Sequence, residues 1–441
     1  GRRACLGELR MECYRHQPFI RLYHTVTFAG DPWKEGLGSY GIRVRLPKAA
    51  FASATVELDE RELTGRALTI YQRSSDHADA TADGKPTAGQ RATGAVLFSG
   101  SAGKTAVYHR DFWRMAPKKL VADAASGTVT FSYWPAEAGT MSFLPREDGW
   151  IPSSSSSEAL AVGLSRTHEI LIAPKFTAPV TAIERLFGEP VVAVVPPPYL
   201  VHTRAMLHLS AYDPDRRPIM ERVISSWFDF YNAHRDLFGW YGEWTYGAIS
   251  GFFSPGPFNW WDYGRYAWIL NEQDIVETPW LCYLRSGDRK YLKFAESNTR
   301  HLMDVATIRW NPVWARAEGF SRRHHECIWL SSGDAGHSML DPYLDFYYAT
   351  GYRPARDAAE RLAAGMMQVT SGTWRYLSNP ISGLTRMYLD TQKPVYKEHA
   401  DRLWNTLCYP EKNEWWVGDH GDRMALGSSM VTTGMPLCTP P

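Results

Sequence analysis

Charge of one sign is missing from this chain: 48 Lys and Arg stand against 47 Asp and Glu, a formal net charge of +1. No basic surplus exists to neutralise phosphates or hold an anionic bilayer, so neither nucleic acid nor membrane is expected as a partner. Long apolar runs are missing too. The best of them, "VVAVV" at 191–195, stops at three prolines, well short of the roughly 18 residues of a membrane span. Cysteine is sparse and scattered: Cys5, Cys13, Cys282, Cys327, Cys408 and Cys438 make no CxxC and no zinc spacing. They read mostly as buried thiols, with a Cys5–Cys13 disulfide left open. There is no GxSxG, no P-loop, no dinucleotide glycine motif, no HExxH and no EF-hand loop. No cofactor is therefore expected, and a divalent cation such as calcium is not excluded. The chain opens "GRRACLGELRM", with no initiator Met and no signal peptide, and reads as a fragment without its natural start.

What the chain does have falls into two halves with different periods. Its 441 residues suit about two to three domains. Residues 1 to about 205 alternate. In "FIRLYHTVTF" (19–28), Ile20, Leu22, Val26 and Phe28 share one face, while Arg21, Tyr23, Thr25 and Thr27 share the other. "GIRVRLP" (41–47), "TVTFSYW" (128–134) and "HEILIAPKF" (168–176) follow the same rule. Period-2 strands punctuated by Gly, Pro, Asp and Ser predict an antiparallel sandwich or barrel. "TADGKPTAGQ" (81–90) and "SSSSS" (153–157) read as loops. The stretch 190–218 reads as a linker whose prolines interrupt any regular element. After it, "IMERVISSWFDFYNAHRDLF" carries apolar residues at helical spacing.

The second half also repeats itself. "YLRSGDRKYLKFAESN" (283–298), "YYATGYRPARDAAERL" (347–362) and "YLDTQKPVYKEHADRL" (388–403) each read as a helix end, a short polar turn and a second helix. Helical hairpins recurring about 40–65 residues apart predict an α/α solenoid or toroid. The expected architecture is α+β multidomain: an antiparallel β-sandwich over 1–205, then an α/α toroid over 206–441. About 225 residues are too few for a closed ring of five to seven hairpins, so the toroid is expected to be incomplete and truncated.

Chemistry concentrates in two places. Between Trp227 and Trp268, 17 of 42 residues are Phe, Trp or Tyr. Many lie among glycines and prolines, where rings can line a sugar-binding cleft or pack a domain interface. "FNWWDYGRYAWILNEQDI" (258–275) starts a predicted helix with Tyr263, Tyr266, Leu270 and Asp274 on one face. Arg265 there could hold a carboxylate in bidentate fashion, or pair with Asp262 or Glu272 as a salt bridge. A tyrosine there could move a proton. The second place, "GFSRRHHECIWLSSGDAGHSMLDPYLDFYYATG" (319–351), holds Arg322, Arg323, His324, His325, Trp329 and His337, with a helix predicted to begin near His337. A metal site would have to combine the histidine pair with Asp262, Asp274, Asp334 or Asp341 without any known spacing.

Taken in order, "FIRLYHTVTFAGDP", "LVADAASGTVTFSYWP", "GLSRTHEILI", "GWYGEWTYG", "WWDYGRYAWILNEQD", "LRSGDRKYLKFAESNTRHLMDV" and "GHSMLDPYLDFYYATG" resemble the rhamnogalacturonan exolyase / YetA-like family of polysaccharide lyases and their relatives. The resemblance runs from about residue 11 to beyond 360. It implies a small β-domain ahead of the sandwich, absent here, and a C-terminal portion not recognisable after about residue 405. It implies β-elimination on a uronic-acid polymer and an acidic polysaccharide or oligosaccharide as partner; polymer breakdown usually takes place outside the cell, but the sequence shows no signal that sets the compartment. His324 or His325, and His337, match the family's histidine positions; "ILNEQD" matches its acidic-amide turn at Asn271, Glu272 and Asp274. On this basis Arg265 neutralises the uronate, His324, His325 or His337 is the base, and Tyr263 or Tyr266 the acid. Tyr241, Trp244, Trp260, Trp261, Asp262, Asn271, Glu272 and Trp329 contact substrate. A glycoside hydrolase using a carboxylic acid pair from Glu243, Asp262, Glu272 and Asp274, or a non-catalytic carbohydrate-binding chain, are the alternatives.

Overall fold

The computed structural model describes residues 4–47, 51–101, 103–143, 161–189, 191–204, 206, 209–251, 253–260, 275–312, 315–322, 333–372 and 374–408. The chain forms two compact units. One comprises Gly1–Leu144, Ser165–Val191 and Gly239–Tyr246; the other comprises Pro145–Leu164, Val192–Phe238 and Gly247–Pro441.

The first unit contains the strands β1 (Cys5–Cys13), β2 (Ile20–Phe28), β3 (Tyr40–Arg45), β4 (Phe51–Leu58), β5 (Arg61–Gly65), β6 (Ala67–Ser74), β7 (His77–Ala82), β8 (Lys85–Gly89), β9 (Ala92–Gly100), β10 (Gly103–His109), β11 (Lys118–Asp123), β12 (Thr128–Trp134) and β13 (Ser165–Pro174). Among the described residues they make a seven-stranded sheet, β1-β2-β13-β10-β9-β4-β5, and a six-stranded sheet, β3-β12-β11-β6-β7-β8. Every neighbouring pair is antiparallel. The expected period is plain in β12, where Val129, Phe131 and Tyr133 are buried and their neighbours are not. These side chains pack with Ile70 and Leu120 of their own sheet and with Val56, Phe98, Val107 and Ile170 of the other. Each such burial contributes about 1.5–3 kcal/mol, so the sheets are held face to face as a sandwich.

Three expectations need correcting here. Residues 81–90 are not a loop: β7 and β8 pair with Ala82 opposite Lys85. Asp83 and Gly84 form the two-residue turn, both left-handed at φ 49° and 79°, the geometry that matches the twist of a tight hairpin. Short Ala and Thr side chains had hidden the strand alternation. Cys5 and Cys13 cannot bridge, because they stand at opposite ends of one strand, about 26 Å apart at a strand's rise per residue; both are free thiols. In β2, the face expected to be polar is also covered: Tyr23, Thr25 and Thr27 are buried with Val26 and Phe28, and Thr25 Oγ1 lies 2.9 Å from Thr167 Oγ1.

The second unit is helical: α1 (Pro197–Thr203), α2 (Pro218–Leu237), α3 (Glu277–Ser286), α4 (Arg289–His301), α5 (Asp341–Thr350), α6 (Arg353–Met366), α7 (Trp374–Thr391) and α8 (Pro394–Cys408), with a small hairpin of β14 (Phe253–Ser254) and β15 (Asn259–Trp260). The linker prolines do not only break structure. They open α1, because a first helical turn has no use for the amide proton that proline lacks. The three sequence repeats are three hairpins, α3–α4, α5–α6 and α7–α8. Each first helix ends on a left-handed residue, Gly287, Gly351 or Gln392. The amide of that residue donates 2.7 Å to the carbonyl of a tyrosine four residues earlier, Tyr283, Tyr347 or Tyr388. Charged pairs tie the helices together: Arg285 grips Glu221 with two 2.6 Å hydrogen bonds, Arg356 meets Asp390 at 2.6 Å and Arg386 meets Asp345 at 2.6 Å.

Candidate functional site

Two constellations stand out, one in each unit. The first is a polar cluster in the sandwich, buried except for a half-buried Tyr40. Five strands carry one member each, in phase with their apolar core residues: Lys118 with Leu120 and Ala122, Tyr133 with Val129 and Phe131, His109 with Val107, His168 with Ile170, and Tyr40 with Val44. Glu243 comes from the 239–246 segment, which is pinned by Gly242 N to Arg114 O (2.9 Å) and Glu243 N to Ala116 O (3.1 Å). Lys118 Nζ donates to Glu243 Oε2 at 2.5 Å and to the Tyr133 carbonyl at 2.8 Å. Tyr40 Oη donates to Glu243 Oε1 at 2.7 Å. His168 Nε2 lies 3.2 Å from the same oxygen, at ion-pair distance but off the line of a good hydrogen bond. The His168 ring stacks on Tyr133, centroids 3.5 Å apart.

The electrostatics follow from burial. Burial by itself would raise the Glu243 carboxyl; Lys118 and His168 outweigh it and hold the group well below the ordinary carboxylate range. Burial brings Lys118 down to about 8 against the pull of Glu243, and brings His168 down to about 4. His109 is pushed well below its usual value by burial, then by His168 and Lys118. Burial and Glu243 lift both Tyr40 and Tyr133. The cluster is therefore one ion pair, Lys118 with Glu243, set among neutral rings. Its carboxylate is committed to three partners and has no exposed surface, so Glu243 is not placed to protonate or attack a glycosidic bond as a hydrolase would require.

The second constellation holds His337, on a tight turn (Ala335–His337) ahead of α5. The expected helix starts four residues later than His337, at Asp341, with Pro342 in its first turn. His337 Nδ1 lies 2.8 Å from Asp334 Oδ1. A carboxylate there accepts from the ring, which fixes the ring's orientation and keeps a proton on Nδ1. Ser338 Oγ donates 2.7 Å to the Asp334 carbonyl and accepts 2.8 Å from Ser321 N. From α7, Asn379 Nδ2 donates 3.1 Å to the Gly336 carbonyl. The His337 side chain has 0% exposure. Buried Arg322 donates to the carbonyls of Val305 (3.1 Å), Thr307 (3.4 Å) and Val162 (3.1 Å), so its guanidinium organises backbone.

Of the other expected site residues, Tyr241 and Trp244 lie in the first unit. Tyr241 is half-buried between Trp113 and Tyr246, at 5.1 and 5.9 Å. Trp244 is buried against Phe143. In the second unit Trp260 is buried; its Nε1 donates 3.0 Å to His234 Nδ1, and its ring packs on Phe230, Tyr231 and Phe253. These rings cover one another, as an aromatic core does. Trp261, Asp262, Tyr263, Arg265, Tyr266, Asn271, Glu272, Asp274, His324, His325 and Trp329 lie outside the described residues. Among the described residues, no group of three or more His, Cys, Asp or Glu side chains could hold a metal ion, and no helix is long and apolar enough to cross a membrane. The buried cluster was missed because its members come from six separate stretches. The usable signal was a charged or histidine residue on the apolar phase of a strand.

No curated protein matches the chain. A solved structure titled as a polysaccharide lyase is similar at 9% identity, covering 92% of this chain and 70% of that one with a TM-score of 0.21, a likeness too low to bear on fold or chemistry. Residues 190–351 match the family model described as the PcRGLX-like protein C-terminal α/α toroid domain.

Proposed function

We propose that the chain is a polysaccharide lyase that cleaves a uronic-acid-containing polymer, rhamnogalacturonan- or pectin-like, by β-elimination. The observation that carries this reading is the match of residues 190–351 to the toroid domain of PcRGLX-like proteins. His337 and Asp334 lie inside that stretch, and a histidine held by a carboxylate on Nδ1 is what a base needs. In this reading His337 Nε2, or else His324 or His325, takes the proton from C5 of the uronate. The electrons form the C4–C5 double bond, and the C4–oxygen bond breaks. Tyr263 or Tyr266 protonates the departing glycosidic oxygen. The C5 proton is acidic only when the neighbouring carboxylate is neutralised, the task assigned to Arg265. Trp261 and Trp329 stack on sugar.

One observation favours a second reading, carbohydrate binding without turnover: the His337 side chain has no exposed surface. The test is incubation with rhamnogalacturonan and with polygalacturonate, following the ultraviolet absorbance of the unsaturated uronate end. Absorbance that rises and is abolished in His337→Ala supports the lyase. New reducing ends without absorbance mean a hydrolase. Retained oligosaccharide binding with neither product means the binding reading is correct.

A further inference from the structure

Helix α2 carries two apolar stripes: one is packed within the protomer, and the other is exposed, although its Phe230, 36% exposed, also touches the protomer's own His234, Phe253 and Trp260. Its inner stripe packs against α3 and α4: Phe228 lies 4.6 Å from the Tyr291 ring and 5.3 Å from that of Phe294, and Glu221 is gripped by Arg285. Its other stripe consists of Ile219, Val223, Ser226, Phe230, Ala233 and Leu237, spaced alternately four and three apart. All six are exposed; Ile219, Val223 and Leu237 keep 66%, 58% and 62% of their surface. A strict 4-3 alternation is the seam of a two-helix coiled coil, not the broader stripe of a helix lying on a globular core.

We infer that this seam is a homodimer interface, in which α2 of one protomer pairs antiparallel with α2 of a second copy. The pattern selects that partner. About a twofold axis near residue 228, Ile219 meets the partner's Leu237, Val223 meets the partner's Ala233, and Phe230 meets the partner's Ser226. Large residues thus face small ones in the central layers, as knobs need holes. The flanking charges obey the same symmetry: Arg222 beside Val223 meets Asp236 beside the partner's Ala233, and the contact occurs twice, as an isologous interface requires. Asp236 is 60% exposed, with Arg235 at 3.5 Å on its own helix. Asp229 meets its own copy near the axis, and each carries Lys290 at 3.4 Å. A parallel pairing would set Phe230 on Phe230 and Ser226 on Ser226, and would leave Arg222 without an acid. One pair of 20-residue helices lies at the small end of stable interfaces, so the dimer is weak and concentration-dependent.

The test is sedimentation velocity on the whole chain over roughly a hundredfold range of concentration, since dimerisation follows mass action. A monomer–dimer equilibrium is expected. Val223→Asp should weaken it about tenfold or more by burying a charge in the seam. Arg222→Asp and Asp236→Arg should each weaken it about two- to fivefold, and the double variant should restore it. The two positions lie about 21 Å apart along one helix, so rescue cannot arise within a protomer, and circular dichroism checks that each variant folds. A chain monomeric at every concentration, a dimer indifferent to Val223→Asp, or a double variant no better than the singles would each overturn the assignment.

Discussion

Two histidine–carboxylate pairs, one per unit, make the comparison this molecule offers. His168 stands 3.2 Å from Glu243, and His337 stands 2.8 Å from Asp334. Beside the first is Lys118, whose ammonium already neutralises the carboxylate; the histidine is pushed down to about 4 by burial first, with Lys118 adding in the same direction. The second pair has serine and amide neighbours that hold its turn, and its carboxylate orients the ring. A buried histidine beside an acid is thus not in itself a catalytic sign. We propose that the sandwich pair is structural, its acid matched by an ammonium, and that the His337 pair aims a base.

The largest expected effect tests that distinction directly. On an active substrate, His337→Gln, which keeps most of the buried volume, should lower kcat by roughly 10²–10⁴-fold, far more than any shift in the unfolding midpoint accounts for, whereas His168→Gln should move the midpoint and leave kcat nearly intact. Next is Lys118→Met. It leaves the buried Glu243 carboxylate without its ammonium, beside only Tyr40 and His168 of its three partners, and chemical denaturation should register a loss of about 3–5 kcal/mol; adding Glu243→Gln should recover most of it. The third is a pH effect. His168 has a folded pKa below its usual 6.5, so the unfolded chain takes up the proton first. The stability it contributes is present above pH 6.5 and is lost as pH falls through about 4, an acid-side loss of about 3 kcal/mol. His109, also depressed, adds in the same direction. Melting curves from pH 7 to 4 should show this slope, and His168→Gln should flatten it. The smallest effect is Asn379→Ala, which removes the donor to the Gly336 carbonyl and should cost about 1 kcal/mol, with a modest fall in kcat because the turn under His337 loosens.

Much of the fold was legible. The alternation in "TVTFSYW" became β12 with its three buried residues in phase, and the repeated turns became three helical hairpins with a common left-handed cap. Where the reading slipped, side-chain chemistry was too weak to signal the backbone. Ala and Thr in "TADGKPTAGQ" alternate without contrast, yet pair as a hairpin. Three prolines looked like an interruption and in fact start α1. The site was less legible. His337 stood out because it precedes a helix and is one of several histidines close together. Asp334, three residues earlier, was noticed only as a metal candidate, because nothing in the sequence says that a short turn folds it back onto Nδ1.

Sequence alone determined the period of the strongly patterned segments, and with it strand or helix, the inward face of strands such as β12 and the hairpin repeat. These are local properties, set by which side chains must leave water every second residue or every third to fourth. Only the tertiary structure decided that Lys118, His168, Tyr40 and Glu243, drawn from four distant stretches, share one enclosed space. The reason is that a charge on the apolar phase of a strand has no acceptable place until the fold brings it an opposite charge, and no local rule can say which distant residue will supply it.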